Sequence, residues 1–138
     1  MIQDISDDPH NGKILPIVRV FVFNDRKECL LLRREKHPYR GHWEVVGGKI
    51  EFGETHENAA ARELLEEAGI TAVPRFLGVH EHIDEGYHRI MFSYFVKVKK
   101  PNPKTSEHKD FHWFAKDELP RDIIPRTKEG ILEAHSML

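Results

Sequence analysis

Apolar and polar positions divide the chain into short extended stretches around one helical segment. Ile14 to Phe23 is rich in Val, Ile and Phe and reads as a strand. Asn24–Lys27 is a turn, and Glu28 to Arg34 reads as the second strand of a hairpin. Lys36 to Gly41 is a loop with Pro38, Tyr39 and Arg40, and His42 to Val46 is short and extended. The period then changes. From Thr55 the apolar positions fall one helical turn apart, with Thr55 as N-cap and Gly69 as C-terminal stop. Ala60, Ala61, Leu64, Leu65 and Ala68 are expected to supply its apolar side. Thr71 to Ile83 and Tyr87 to Lys99 read as strands joined by a turn at 84–86. Residues 100–109 form a loop carrying Pro101 and Pro103, and Asp110 to Ala115 reads as a strand. A short helix or turn at 116–120 and a helix from Thr127 to Met137 close the chain. Strands on both sides of a central helix, with a second helix at the end, argue for an α+β or α/β sandwich.

Composition narrows the class. The 138 residues suit one domain, with residues 1–12 as a loose leader or an added short strand. Hydrophobic content of 39% beside 32% charged residues fits a soluble globular protein. The net charge is −2 with no basic run, which gives no support to nucleic-acid or membrane partners. The polar, acidic start from Met1 to Asp4 does not read as a signal peptide, and no apolar run reaches membrane-spanning length. Cys29 is the single cysteine, which excludes an internal disulfide and fits a cytoplasmic location. Its place before Leu30–Leu32 makes core packing the expectation for it.

The chemistry concentrates between Gly48 and Ile70. Glu63, Glu66 and Glu67 stand at i, i+3 and i+4, so they share one helix face. Like charges at that spacing repel, and a bound divalent cation with a taste for hard oxygen ligands removes the penalty. Gly47–Gly48 brings bare backbone close to that face, and Arg62 can pair with Glu54 or with a glutamate one turn on. The plainer reading of the helix alone is a solvated acidic surface. The upstream residues change it. Gly48, Glu54, Arg62, Glu63, Leu64, Glu66, Glu67, Gly69 and Ile70 together resemble the Nudix box, G-x5-E-x7-R-E-U-x-E-E-x-G-U, with no gap. Gly41-His42-Trp43 followed by Gly47-Gly48 resembles the approach to the box in MutT-type members, with Val46 where many have proline. That departure is expected to loosen the turn into the box without removing a ligand.

The resemblance implies an α/β/α sandwich with a mixed central sheet. It also implies a magnesium- or manganese-dependent hydrolase that acts on a nucleoside diphosphate linked to another group. Carried over by position, Glu63, Glu66 and Glu67 are the metal ligands, Gly47 offers a backbone carbonyl, and Glu63 is the base or positions it. Glu54 and Arg62 orient the helix carboxylates. Glu107 is either a further acidic ligand or a solvated loop charge. Arg33 and Arg34 either reach a substrate phosphate or flank their strand in solvent. Tyr87 lies at a position where diadenosine-polyphosphate hydrolases of the family tend to carry tyrosine, although a structural role is the plainer one. Glu85 stands where many ADP-ribose pyrophosphatases have proline. Trp113, with Phe92, Phe111 and Phe114, is placed either to stack a base or in the core. His80 and His82 share a strand face, with His88, His108 and His112 further on. Without nearby cysteines, contact with nucleotide or solvent is expected of them rather than a zinc site.

The compact length favours a MutT-like (d)NTP pyrophosphohydrolase. The alternatives are dinucleoside polyphosphate, ADP-ribose or nucleotide-sugar hydrolysis, or a non-catalytic nucleotide-sensing module. An isopentenyl-diphosphate isomerase reading is disfavoured, since Cys29 lies far ahead of an intact box. A small-molecule nucleotide is the expected partner, and a homodimer is open.

Overall fold

The computed structural model describes residues 12–36, 39–84, 86–99, 103–104 and 110–138. Its elements run β1 (Ile14–Phe23), β2 (Cys29–Arg33), β3 (Trp43–Glu44), β4 (Val46–Lys49), α1 (His56–Ala68), β5 (Arg75–Asp84), β6 (Tyr87–Lys97), β7 (Phe111–Phe114) and α2 (Pro125–His135). The strands form one mixed sheet in the order β3-β2-β1-β6-β5, with β4 also paired to β1 and β7 to β2. At its centre β1 and β6 run parallel in unbroken register from Ile14 opposite His88 to Phe23 opposite Lys97. β5 returns antiparallel to β6.

Alternation along β1 feeds two cores. Val18, Val20 and Val22 face α1 and pack with Ala59, Ala60, Leu64 and Ala68. Phe21 and Phe23 face the other way, with Ile131 and Ala134 of α2. The sheet is therefore covered on both faces, as a near-continuous apolar run in its central strand requires. α2 approaches closely because Gly130 has no side chain: a Cβ there would come within 2.2 Å of the Phe21 ring.

The helix limits follow from local chemistry. Thr55 Oγ1 accepts the Asn58 N–H at 3.1 Å, and Gly69 ends α1 in the left-handed region at φ 66°. The buried stripe is Ala59, Ala60, Glu63, Leu64 and Ala68. Ala61 and Leu65, expected inside, lie one step round the helix, and Leu65 is 54% exposed. α2 starts at Pro125 rather than Thr127, because proline is suited to the first helical position. β5 starts at Arg75, after Pro74, which lacks a ladder N–H. Residues 116–120 form a turn, not a helix.

Two expectations around the glycines are corrected. β1 and β2 pair antiparallel with register at Phe23 and Cys29, and β2 then continues against β3 and β7. The rest of β1 takes β4 as its antiparallel neighbour, Ile17 to Val20 opposite Lys49 to Val46. Gly47 and Gly48 are thus strand residues rather than a turn. Val46 loosens nothing: it is fully buried opposite Val20, where its N–H belongs to a strand.

Candidate active site

α1 carries its acidic face to a cleft of about 570 Å³, whose lining includes Gly47, Gly48, Glu63, Glu66 and Glu67. The glycines make this approach possible. A Cβ on Gly48 would stand 2.4 Å from Glu63 Oε1, so the carboxylate occupies the space of a missing side chain. The Gly47 N–H donates to Glu67 Oε1 at 2.8 Å. Glu63 is mostly buried at 9% exposure, and this desolvation pushes its pKa up, against the opposing pull of Arg62.

Arg62 organises the rest. Its Nε and Nη2 donate to the two oxygens of Glu54 at 2.7 and 3.0 Å. Its Nη1 donates to Glu63 Oε1 at 2.9 Å and to Glu66 Oε2 at 3.1 Å, and its Nη2 also reaches the Lys49 carbonyl at 3.1 Å. One guanidinium therefore ties three carboxylates to the end of β4. The hydrogen bonds from Arg62 hold the Glu54 carboxyl below the usual carboxylate range.

Among the described residues, no three side chains of the His, Cys, Asp or Glu types are grouped so as to hold a metal ion as they stand. The donor chemistry still fits a hard divalent cation: carboxylate oxygens beside bare strand backbone, in a cleft. Glu66, whose side chain is 57% exposed, is held to the Arg62 guanidinium at 3.1 Å.

The cleft also has basic lining. Arg19, Arg34, Arg89 and Arg126 line the same cleft, from β1, the residue after β2, β6 and α2. Arg34 Nη1 donates to Glu44 Oε2 at 3.0 Å. Arg19, 7% exposed, donates to Ser93 Oγ through Nε at 3.1 Å and Nη2 at 2.9 Å, and to the Arg126 carbonyl at 3.3 Å. Burial and the Arg126 charge lower its pKa to about 10. Arg126 is placed by the chain just before it: Trp43 N–H donates to the Asp122 carbonyl at 2.9 Å and Ile124 N–H to the Trp43 carbonyl at 3.1 Å. Of these arginines, only Arg34 is singled out by the sequence reading. The signal for Arg19 is a single arginine inside an otherwise apolar strand, whereas Arg89 follows His88 at the start of β6. Nothing local marks Arg126.

The other expected residues divide. Arg34 and Tyr87 line the cleft, Tyr87 under the Arg89 guanidinium at 4.5 Å. Trp113 does not: it sits opposite Leu30 on β7 and packs against the α1-side core. Phe111, His112 and Phe114 border a separate shallow surface pocket with Trp43 and Asp110. Phe92 stacks on His56, with ring centroids 4.4 Å apart. Arg33 lies over the Trp43 ring at 4.6 Å. The strand histidines face carboxylates: His80 is 3.2 Å from Glu133, His82 3.6 Å from Asp84, and His88 2.8 Å from Glu81. Glu107, His108 and the leader up to residue 11 lie outside the described residues.

A mixed sheet between two helices, with an arginine-tied carboxylate helix laid on a glycine strand, defines the Nudix hydrolase class. The chain belongs to this family: residues 13–134 match the NUDIX domain. It is 30% identical over 124 residues to an 8-oxo-dGTP diphosphatase of Escherichia coli (strain K12), covering 87% of this chain and 95% of that one. A putative 8-oxo-dGTP diphosphatase of Bacillus subtilis (strain 168) is 28% identical over 113 residues, covering 81% and 74%. The crystal structure of a MutT NUDIX hydrolase from Burkholderia pseudomallei superposes with a TM-score of 0.78 at 28% identity, covering 88% of this chain and 98% of that one. The chain is a Nudix pyrophosphohydrolase, and enzymes of this family typically use a divalent metal. Among the described residues no helix is long and apolar enough to cross a membrane.

Proposed function

We propose that the chain is a magnesium- or manganese-dependent, MutT-like pyrophosphohydrolase of nucleoside triphosphates, oxidised ones included. The support is that Glu63, Glu66, Glu67 and the Gly47–Gly48 backbone line one cleft with a wall of arginines. The 8-oxo-dGTP diphosphatase relatives favour the oxidised purine substrate. Glu63, Glu66, Glu67 and the Gly47 carbonyl would hold the metal, which when bound neutralises phosphate oxygens and lowers the pKa of water.

The protein's own groups do the rest. Glu63 takes the proton of the attacking water, or holds the group that does. Glu54 and Arg62 keep the helix carboxylates oriented. Arg34 and the arginines beside it balance the charge of the phosphate chain, and Tyr87 supports Arg89 from below.

Phosphate and pyrophosphate release with magnesium tests this, for wild type and Glu67→Gln, on (d)NTPs, oxidised dGTP, ADP-ribose, nucleotide sugars and diadenosine polyphosphates. Glutamine retains an oxygen for the Gly47 N–H, so the variant is expected to fold. Hydrolysis of a (d)NTP that is lost in Glu67→Gln is the expected result. No turnover of any compound, with nucleotide binding retained, would replace the enzyme by a nucleotide-sensing module.

A further inference from the structure

We propose that Ser93 is a positioning residue for substrate binding: backed by His80 and Glu133, it holds the Arg19 guanidinium ready in the cleft. The proposal deepens the hydrolase reading above and rests on it for the reaction that Arg19 serves.

Ser93 is a polar side chain at a fully buried position of β6, directly opposite Arg19 in the parallel register with β1. A hydroxyl in such a place costs stability unless its hydrogen bonds are made. It brings one proton and two lone pairs. Both lone pairs go to Arg19, to Nε at 3.1 Å and Nη2 at 2.9 Å. The proton is then left for His80 Nδ1, 3.4 Å away. That assignment fixes the tautomer: His80 carries its own proton on Nε2, 3.2 Å from Glu133 Oε2. The donors therefore run in one direction, from Arg19 through Ser93 and His80 to a carboxylate on α2. Hydrogen bonds arranged in such a chain polarise one another.

The chain supports a charge that is costly where it stands. Arg19 is 7% exposed, and burial first and Arg126 second disfavour its charged form. Glu133 and Glu129, both on α2, favour it. Glu133 is also the end of the hydrogen-bond chain that reaches Arg19 through His80 and Ser93. Of the five N–H groups of Arg19, Ser93 takes two and the Arg126 carbonyl takes one at 3.3 Å. The remaining two are available to a substrate oxygen, since Arg19 lines the cleft. An arginine held beforehand loses little rotamer freedom on binding, so the benefit falls on affinity.

A serine that only completes the core would not tune affinity, and kinetics separate the two roles. KM and kcat for oxidised dGTP are measured with magnesium, and the dissociation constant of inorganic triphosphate in EDTA. The proteins are wild type, Ser93→Ala, His80→Leu and His80→Asn. Asparagine puts an acceptor where Nδ1 stood, and leucine does not. Ser93→Ala is expected to raise KM about tenfold, the worth of a hydrogen bond to a charged group, with kcat within about twofold. His80→Leu should raise KM about threefold by the loss of one neutral hydrogen bond, and His80→Asn should restore it. The His80 side chain is 34% exposed on the outermost strand, so both its variants should fold even if Ser93→Ala does not. In an Arg19→Gln background, Ser93→Ala should add nothing further. Wild-type KM in Ser93→Ala and His80→Leu overturns the proposal, and so does a loss confined to kcat. Equal losses in His80→Leu and His80→Asn, or additive losses from Ser93→Ala and Arg19→Gln, overturn it too. Triphosphate binding weakened by Ser93→Ala, with no turnover by wild type, would sustain the positioning role and remove the hydrolase reading instead. Neither turnover nor triphosphate binding by wild type would remove both.

Discussion

Arg62 and Glu54 are joined by two hydrogen bonds, Nε to Oε2 at 2.7 Å and Nη2 to Oε1 at 3.0 Å, across eight residues of chain. The pair anchors the guanidinium, whose remaining edge holds Glu63 and Glu66. Lysine keeps the charge but not the fork, so it cannot reach all three carboxylates at once. Arg62→Lys is expected to lower kcat/KM by about 10- to 100-fold, the usual cost of losing a group that orients metal ligands. Its melting temperature should stay close to wild type, because the contacts lie at a partly exposed rim. A magnesium titration of activity checks it: the half-saturating concentration should rise. Wild-type activity and wild-type magnesium dependence in Arg62→Lys would remove Arg62 from the positioning role.

The two strand glycines should fail differently. A Cβ on Gly47 would stand 2.3 Å from the Val18 carbonyl oxygen, a backbone atom in the β1–β4 ladder that cannot move alone. The three atoms nearest a Cβ on Gly48 would all belong to the Glu63 carboxylate, the first at 2.4 Å. Gly47→Ala is therefore expected to destabilise the fold by about 1–3 kcal/mol. Gly48→Ala should leave the melting temperature nearer wild type and lower kcat by displacing Glu63. Thermal melts and steady-state rates on the same preparations separate the two. A Gly48→Ala variant with full activity would show that the Glu63 position does not matter to turnover.

These glycines also show what the sequence makes legible. The helix limits at Thr55 and Gly69 are local chemistry, a hydroxyl on an N–H and a left-handed residue, and they stand in the structure where the residues imply. The set Glu54, Arg62, Glu63 and Glu66 is equally local, because it is fixed by one helix and the loop before it. What Gly47 and Gly48 do depends on β1, almost thirty residues earlier, so a turn and a strand are indistinguishable from their own neighbourhood. The arginine wall is further from reach. It exists because β1 and β6 pair in parallel over ten positions and α2 is drawn to Trp43, long-range events with no local signature. Trp113 fails in the converse way: alternation says that it has a buried side, but only the sheet order says that this side is the core behind α1.

Cys29 gives a prediction with a sign. Its thiol is 1% exposed among Leu30–Leu32 and the α2-side core, and burial pushes its pKa far up. In the unfolded chain it ionises near its ordinary value, roughly 8.5. The folded state thus retains a proton that the unfolded state loses, so the stability contribution is complete below that pH and falls as pH rises above it. Relative to Cys29→Val, wild type should lose about 1.4 kcal/mol of unfolding free energy per pH unit above roughly 9. Urea unfolding of both proteins at a series of alkaline pH values measures the difference. Parallel pH profiles would mean that the thiol ionises in the folded protein. Thiol reagents should likewise react with Cys29 only after denaturant is added.

Removing one charge from the arginine wall should stabilise the protein while impairing the cleft. Arg89 is lowered in pKa first by burial and next by Arg34, so its charged form is under strain where it stands. Methionine retains a flexible apolar stem against Tyr87 and carries no charge. Arg89→Met is expected to raise the melting temperature by a few degrees, the range of a favourable single change. The gain should shrink as salt is added, because screening relieves the repulsion in wild type and has less to relieve in the variant. Wild type should accordingly be stabilised more than Arg89→Met by sulfate or phosphate, which both screen and bind. A lower melting temperature for Arg89→Met at every ionic strength would mean that its contact with the Tyr87 ring outweighs the repulsion, and the wall would then be a structural feature of the fold.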